Sequence, residues 1–147
     1  MYSHILLATD GSHLSQKAVS AATELAAKLG AELVAVKVVP HYIQTYFEGS
    51  FAISDEDVQN IEGQWVQGAE KVLAQVKAQA QAKGVVIKTM VVKSDDIAQG
   101  LMDTADQLKS DLIVMASHGR KGIKRLLLGS ETLSVLTHAS IPVLVLR

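Results

Sequence analysis

Three features are scarce in this 147-residue chain: it has no cysteine, only two prolines and no long apolar run. Without cysteine it can form neither disulfides nor thiolate metal sites, which fits a reducing compartment. No apolar run approaches the roughly 20 residues that a membrane span requires. The first residues lead directly into an apolar strand pattern, without the basic segment of a signal peptide. We therefore expect a cytoplasmic protein that does not contact membranes.

Charge is balanced, with 14 basic and 15 acidic residues and a net charge of −1. A general nucleic-acid binder needs a basic face to neutralise phosphates, so we expect no nucleic-acid partner. Apolar residues make up 48% of the chain, which is too many for a disordered segment. The length is typical of one domain, and we predict that residues 1–147 form a single domain.

Five short apolar runs, rich in valine and isoleucine, recur along the sequence. They cover residues 5–8, 33–39, 85–92, 112–116 and 143–146. Continuous runs of this length and composition are typical of parallel strands that are buried on both faces. The two prolines, Pro40 and Pro142, lie at the edges of such runs, where proline is best tolerated.

Apolar residues spaced three and four apart predict a helix between each pair of runs. The first helix has Ser12 as its N-cap and stops at Gly30, a residue that favours a left-handed C-cap. The second apolar stripe covers residues 58–76, and the third is opened by residues 94–96. A short fourth helix begins at Ser130.

This alternation, βαβαβαβαβ, predicts an α/β fold with an open parallel sheet and helices on both faces. In such sheets a ligand binds at the carboxyl ends of the strands, where the strand order reverses. The loops after Ala8, Val39, Val92 and Ala116 are therefore the candidates for a binding site.

The segment 40–54 is longer than most loops of a compact domain, and long loops are often functional. Its four aromatic residues are Tyr42, Tyr46, Phe47 and Phe51. They either pack the loop onto the edge of the sheet, which we favour, or form a mobile flap over the site. Trp65 falls on the apolar stripe of the second helix, and we predict a core position for it rather than a stacking contact with a ligand.

The most informative loop covers residues 116–130, between the fourth strand and the fourth helix. Its glycines, Gly119, Gly122 and Gly129, allow the backbone to approach a ligand closely. Its four cations are Arg120, Lys121, Lys124 and Arg125. Ser130 follows Gly129 at a predicted helix N-terminus, where free amides and the helix dipole favour an anion. The pattern predicts an anion site, with an ordinary solvated turn as the alternative.

Two well-known nucleotide motifs do not match. A Walker loop ends in Gly-Lys-Ser/Thr, whereas Gly129-Ser130 lacks the lysine. The segment 10–12 after the first strand does not fit the dinucleotide fingerprint, so NAD is not expected. The histidines show no metal-ligand spacing, and we predict no resident metal site. His118 lies inside the loop, where it either meets a phosphate or is a plain loop residue.

The loop resembles that of the universal stress protein family, whose ATP-binding branch carries the motif G-x2-G-x9-G-S/T. Here Gly119 is followed by nine residues and then by Gly129-Ser130. Residues 5–12 resemble the opening strand of the family with its acidic residue, and residues 142–146 resemble its closing strand. One position departs from the motif, because Ala116 stands in place of the first glycine. A methyl group there can block a close ligand, and alanine resists positive φ.

The resemblance implies a Rossmann-like sheet in the order 3-2-1-4-5, commonly in a dimer, with ATP as the ligand and ADP or AMP as alternatives. It implies that Asp10 lies near the ribose and phosphates, that Val38 meets the adenine, and that Gly119, Gly129 and Ser130 hold the phosphates. The complete set of candidate nucleotide-binding residues is Thr9, Asp10, Val38, Ala116, His118, Gly119, Arg120, Gly122, Gly129, Ser130, Glu131 and Thr132. Asp10 either serves the ribose or a Mg²⁺ ion that arrives with the phosphates, or stabilises the first helix as an N-terminal acid.

Three functions compete at this point. A nucleotide-binding regulatory module in the stress response is favoured by the retained loop spacing. A dimeric interaction protein of the same fold without a ligand is the alternative in which Ala116 marks a lost site. A weak ATPase or nucleotidyl transferase is disfavoured because no base is recognisable, so we expect slow turnover or none. Fold alone decides none of these.

The last apolar run, residues 143–146, carries no charge. At the edge of a sheet such a strand invites pairing with another chain. We therefore expect a homodimer in which two copies of this strand meet about a two-fold axis.

Overall fold

A computed structural model describes residues 1–42, 54–118 and 128–147. Five strands and four helices alternate along these residues. They are β1 (His4–Ala8), α1 (Ser15–Leu29), β2 (Glu32–Val39), α2 (Asp55–Ala82), β3 (Ile87–Lys93), α3 (Ile97–Gln107), β4 (Leu112–Ala116), α4 (Ser130–His138) and β5 (Val143–Leu146).

The strands form one parallel sheet in the order β3-β2-β1-β4-β5. The predicted Rossmann-like α/β fold and strand order are therefore confirmed. β1 lies in the middle, between β2 and β4. The chain moves to one side of β1 for β2 and β3, and to the other side for β4 and β5. The order thus reverses at β1 and β4, which is where open α/β sheets bind ligands.

The two faces of the sheet have separate cores. Buried residues on one face pack with α1 and α2, and those on the other face pack with α3 and α4. Successive side chains of β1 alternate between them, because neighbouring residues of a strand point to opposite faces. Ile5 and Leu7 belong to the first core and Leu6 to the second, and none of the three is exposed.

The outer strands correct the expectation that every apolar run is buried on both faces. Most of β3 is exposed or half-buried, and Leu144 of β5 is 39% exposed. An edge strand has only one neighbouring strand, so the helices cover it less completely. The third run also begins later than predicted, at Ile87. Val86, which is 65% exposed, instead accepts a hydrogen bond from the Leu33 N–H through its carbonyl oxygen.

The helix ends agree with the sequence at three places and differ at one. Gly30 caps α1 in the left-handed conformation with φ of 65°, and α4 begins at Ser130. Asp96 caps α3 by accepting the Gln99 N–H at 3.0 Å. Ser12, however, is not the N-cap of α1, which begins at Ser15. The Ser12 hydroxyl oxygen accepts the Ser15 N–H at 3.2 Å and so closes the turn that precedes the helix.

The predicted core position of Trp65 is wrong. Its side chain is 37% exposed and its ring lies 6.3 Å from that of Tyr42, centroid to centroid, at an angle of 34°. A helix of the length of α2, 28 residues, spans about 42 Å, whereas a strand of eight residues spans about 27 Å. The helix is thus longer than the strands it packs against, and Trp65 packs against Tyr42, in the segment that follows β2.

A cluster of polar contacts fixes the beginning of that segment. The Tyr42 N–H donates to Glu62 Oε1 at 2.8 Å, and Lys93 Nζ lies 3.4 Å from Glu62 Oε2. The His41 N–H donates to Asp95 Oδ1 at 3.0 Å. The end of β2 is thus tied to both α2 and the end of β3. The hydrogen bond from Tyr42, with the Lys93 ammonium beside it, lowers the pKa of the Glu62 carboxyl.

This lowered pKa predicts a specific pH dependence. A carboxyl group whose pKa is lower in the folded state stabilises the fold above its unfolded value, about 4.3, and loses that contribution as pH falls through the folded value. Glu62→Gln is therefore expected to reduce the free energy of unfolding at pH 7, with a difference from the parent that shrinks below about pH 4. Urea unfolding at several pH values measures this. Glu70→Gln, the same change at an exposed position of α2, is the control, and an equal pH profile for both variants would contradict the assignment.

Candidate functional site

Two loops meet where the strand order reverses. β1 pairs with β4 through Leu7 and Val114, so Thr9 is level with Ala116 two residues further along. The loop after β1 and the loop after β4 therefore start side by side at the carboxyl edge of the sheet. This is the place where ligands bind in open parallel sheets, and eight of the twelve predicted site residues lie on these strand ends and loop starts or at the beginning of α4. Those eight are Thr9, Asp10, Ala116, His118, Gly129, Ser130, Glu131 and Thr132.

The loop after β1 is held by hydrogen bonds within itself. The Thr9 hydroxyl is buried, donates to the Ser15 hydroxyl oxygen at 3.2 Å and accepts the Gly11 N–H at 3.4 Å. The Ser15 hydroxyl donates to the Ser12 carbonyl oxygen at 2.8 Å. Thr9, a predicted ligand contact, is therefore placed where its hydroxyl shapes the loop.

Gly11 lets this loop pass directly beneath α2. Its φ is +79°, and a Cβ atom at this position would lie 2.8 Å from Cγ2 of Val72. A larger residue would be strained in its backbone and would also collide with a β-branched side chain that has little freedom to turn away. The close packing of α2 onto the loop thus depends on glycine here.

Asp10 lies half-buried at the turn of the loop. Its Oδ1 accepts the Ser12 N–H at 2.8 Å, which fixes the orientation of the carboxylate. Its carbonyl oxygen accepts a hydrogen bond from Lys37 Nζ at 3.2 Å. Lys37 was not among the predicted site residues. Its signal in the sequence is that it is the single charged residue inside the apolar run 33–39.

Val38 lies near the carboxyl end of β2, one strand away from Asp10. It is half-buried and packs against the core on the α3 and α4 side. Its side chain lies on the opposite face of the sheet from the core that holds Ala116. The adenine contact of Val38 stays a prediction.

Ala116 ends β4 as an ordinary strand residue. It is not among the described residues with positive φ, so the predicted conflict between alanine and a left-handed backbone does not arise. The residue is 8% exposed, and its methyl group belongs to the core that packs with α1 and α2. Its carbonyl oxygen accepts the buried Thr132 hydroxyl at 2.9 Å. Thr132, a predicted ligand contact, thereby anchors α4 to the end of β4.

Gly129 closes the loop that begins at Ser117. The Gly129 N–H donates to the Ser117 carbonyl oxygen at 2.8 Å, and a Cβ on Gly129 would lie 3.2 Å from that oxygen. The Ser117 N–H in turn donates to the carbonyl oxygen of Leu146 at 2.7 Å. The backbone of one residue, Ser117, therefore connects the end of β5 to the start of α4, and the glycine permits the two ends of the loop to touch.

The N-terminus of α4 faces this junction. Its N-cap is Gly129, which has no side chain to accept a hydrogen bond from the amides of the first turn. Ser130 is exposed, and its hydroxyl donates to Oε2 of the exposed Glu131 at 3.0 Å. The positive end of the helix dipole and a hydroxyl group are thus presented together at the carboxyl edge.

His118 is half-buried, and its Nδ1 lies 3.1 Å from the Ser117 hydroxyl oxygen. Three of the predicted residues, Gly119, Arg120 and Gly122, lie outside the described residues, as do the other cations of the loop and Tyr46, Phe47 and Phe51. Within residues 1–42, 54–118 and 128–147, no group of three His, Cys, Asp or Glu side chains could hold a metal ion. No helix in those ranges is both long and apolar enough to cross a membrane.

Comparisons with known proteins agree with this architecture. A family model described as the universal stress protein family matches residues 1–147. The chain is 34% identical to a universal stress protein of Methanocaldococcus jannaschii, over 100% of this chain and 83% of that protein. The structure of the universal stress protein UspA from Lactobacillus plantarum matches with a TM-score of 0.85 at 26% identity, over 99% of this chain and 98% of that one.

Two further structures of similar proteins contain nucleotides. One is a universal stress protein in complex with cAMP, with a TM-score of 0.73 and 27% identity, over 99% of this chain and 97% of that one. The other, from Archaeoglobus fulgidus, is in complex with dAMP and has a TM-score of 0.70 over 99% of this chain and 98% of that one. At 20% identity, the second shows the shared fold alone. By its sequence and its fold, this chain belongs to the universal stress protein family.

Proposed function

We propose that the chain binds an adenine nucleotide, ATP in the first place, at the crevice between the ends of β1 and β4, and that it works as a regulatory module in the stress response. The observation that carries this proposal is the meeting of two features at the strand-order reversal. The carboxylate of Asp10 is fixed on one side, and the uncapped N-terminus of α4 opens on the other. An acidic group suits the ribose or a Mg²⁺ ion, whereas a helix N-terminus suits phosphate.

Each candidate residue has a part in this proposal. Asp10 serves the ribose or the Mg²⁺ ion, and Val38 contacts the adenine. The phosphates are held by Gly119, Gly129 and Ser130, with Arg120, Gly122 and His118 beside them. The remaining candidates shape the site, with Glu131 at the start of α4 and with Thr9, Ala116 and Thr132 beneath the two loops.

The alanine at position 116 is compatible with this role. The methyl group faces the core that packs with α1. The Ala116 carbonyl oxygen points elsewhere and accepts a hydrogen bond from the Thr132 hydroxyl. Nucleotide binding by the cAMP-bound relative supports an adenine ligand, and that ligand is a monophosphate. AMP and ADP are therefore alternatives to ATP. Hydrolysis of ATP would need a base that orients water, and we assign that role to no residue here.

The decisive experiment is calorimetric titration of the nucleotide-free protein with ATP and Mg²⁺. Ser130→Glu is expected to weaken binding about tenfold or more, since one like charge within about 4 Å of a phosphate costs several kcal/mol at a partly exposed site. The helix itself tolerates the change, because an acid in the first turn interacts favourably with the dipole. Adenosine, which has no phosphate, should be affected much less by the same variant.

Two controls sharpen the result. Gln75→Glu adds the same charge on the exposed side of α2 and should leave the affinity unchanged. Ala116→Gly should alter it by no more than about threefold, because the deleted methyl faces the core. Unchanged ATP binding by Ser130→Glu would show that the phosphates do not bind at the N-terminus of α4. Failure of the parent to bind any adenine nucleotide would favour the interaction protein without a ligand.

We also propose that the protein acts in the cytoplasm as a homodimer joined through β5. This strand is at the edge of the sheet among the described residues, carries no charge and has a partly exposed Leu144. Pairing with a second copy would satisfy the backbone groups along that edge and cover the leucine.

Light scattering at micromolar concentration tests the dimer. The parent should have the mass of two chains, and Leu144→Lys should have the mass of one, since a charge on a paired edge strand opposes association. Val86→Lys places the same charge beside β3, at the other edge of the sheet, and should remain a dimer. A parent with the mass of one chain would contradict the proposal.

A further inference from the structure

Lys37 is an unusual residue for its position. It lies in β2, an interior strand between β1 and β3, and its neighbours Val36 and Val38 pack in the core on the α3 and α4 side. Since side chains alternate along a strand, Lys37 projects to the side of α1 and α2. It is half-buried there. An ammonium group at such a place loses hydration and persists only with polar partners.

One polar partner of Lys37 lies in the loop after β1. Lys37 Nζ donates to the Asp10 carbonyl oxygen at 3.2 Å. The carboxylate of the same residue accepts the Ser12 N–H at 2.8 Å. Asp10 is therefore held at its backbone by a cation from the next strand and at its side chain by an amide of its own loop.

The residues on both sides of Asp10 are held by contacts of their own. Gly11 follows with φ of +79° and lies close beneath Val72. Before Asp10, the Thr9 N–H donates to the Val36 carbonyl oxygen at 3.0 Å, in continuation of the sheet. The ammonium of Lys37 contacts the peptide unit that joins Asp10 to Gly11, between these two residues.

We propose that Lys37 is a positioning residue of the nucleotide site. By holding the Asp10 peptide, it sets the direction of the Asp10 carboxylate toward the ribose, and so sets the preference for a nucleotide with a complete ribose. This inference rests on the proposed nucleotide function. Lys37 affects nucleotide affinity by holding Asp10, and it does not contact the phosphates.

The first test needs no ligand. Amide hydrogen exchange is measured in the parent, in Lys37→Met, which keeps the length of the side chain without its donor, and in Lys88→Met. Lys88 is exposed in β3, so the control removes the same charge away from the loop. The Ser12 amide should exchange at least about fivefold faster in Lys37→Met alone, because its acceptor is no longer held. Equal Ser12 exchange in all three proteins would overturn the positioning role.

The second test measures the dissociation constants of ATP, 2′-deoxy-ATP, 3′-deoxy-ATP and adenosine for the parent, Lys37→Met, Asp10→Asn and the double variant. Lys37→Met should weaken ATP binding about tenfold, a typical consequence of loosening the residue that orients a ligand contact. The change should be much smaller for the deoxy analogue that lacks the hydroxyl bound by Asp10. The two substitutions should be non-additive, since they break the same interaction.

The outcomes separate three possibilities. One outcome is that Lys37→Met weakens the binding of ATP more than that of adenosine, and to the same extent in the Asp10→Asn background. That result would mean that Lys37 contacts a phosphate directly, and it would overturn the proposal. Equal losses for ATP and both deoxy analogues would mean a general effect on structure and would also overturn it. A parent that binds no adenine nucleotide would refute the nucleotide function, whereas the exchange of Ser12 would still decide whether Lys37 holds Asp10.

Discussion

The complete burial of the three central residues of β1 constrains the rest of this structure. Ile5, Leu6 and Leu7 have no exposed surface, because each face of the strand meets a different pair of helices and each edge meets another strand. A strand enclosed in this way must be central, and its two neighbours must carry the chain in opposite directions across the sheet. The loops after β1 and β4 then begin side by side, and the crevice between them follows from the packing of apolar residues far from any ligand.

The site is built mostly from contacts that the protein makes with itself. Hydrogen bonds through Thr9, Ser12 and Ser15 shape one loop, and those through Ser117 and Thr132 shape the other. Groups that are already ordered lose little conformational entropy when a ligand arrives, and such preorganisation favours binding. Ser117 has a further consequence, because its backbone N–H and carbonyl groups join the end of β5 to the start of α4. The proposed dimer edge and the proposed phosphate site therefore share one chain of hydrogen bonds.

Much of the fold could be predicted because it follows from local patterns. Alternating apolar runs and helical stripes determine the order of the elements, and Gly30 marks a helix end by a backbone conformation that glycine adopts readily. Features that depend on neighbours could not be predicted in the same way. The exposure of β3 reflects its place at the edge of the sheet. The exposure of Trp65 reflects its contact with Tyr42, which lies beyond the end of β2. Lys37 appears in the sequence as one charge in an apolar run, but only the pairing of β1 with β2 brings it to Asp10.

The central claim is that an adenine nucleotide occupies the crevice between the ends of β1 and β4. Backbone amide spectra recorded by NMR with and without ATP and Mg²⁺ test it most directly, because they locate the ligand without a substitution. The account predicts that the largest shifts occur at Ser12, Ser117, Gly129 and Ser130, and that Thr89 and Met90 in the open groove between α2 and β3 remain unchanged. Shifts confined to that groove, or no shifts at saturating ATP, would contradict it.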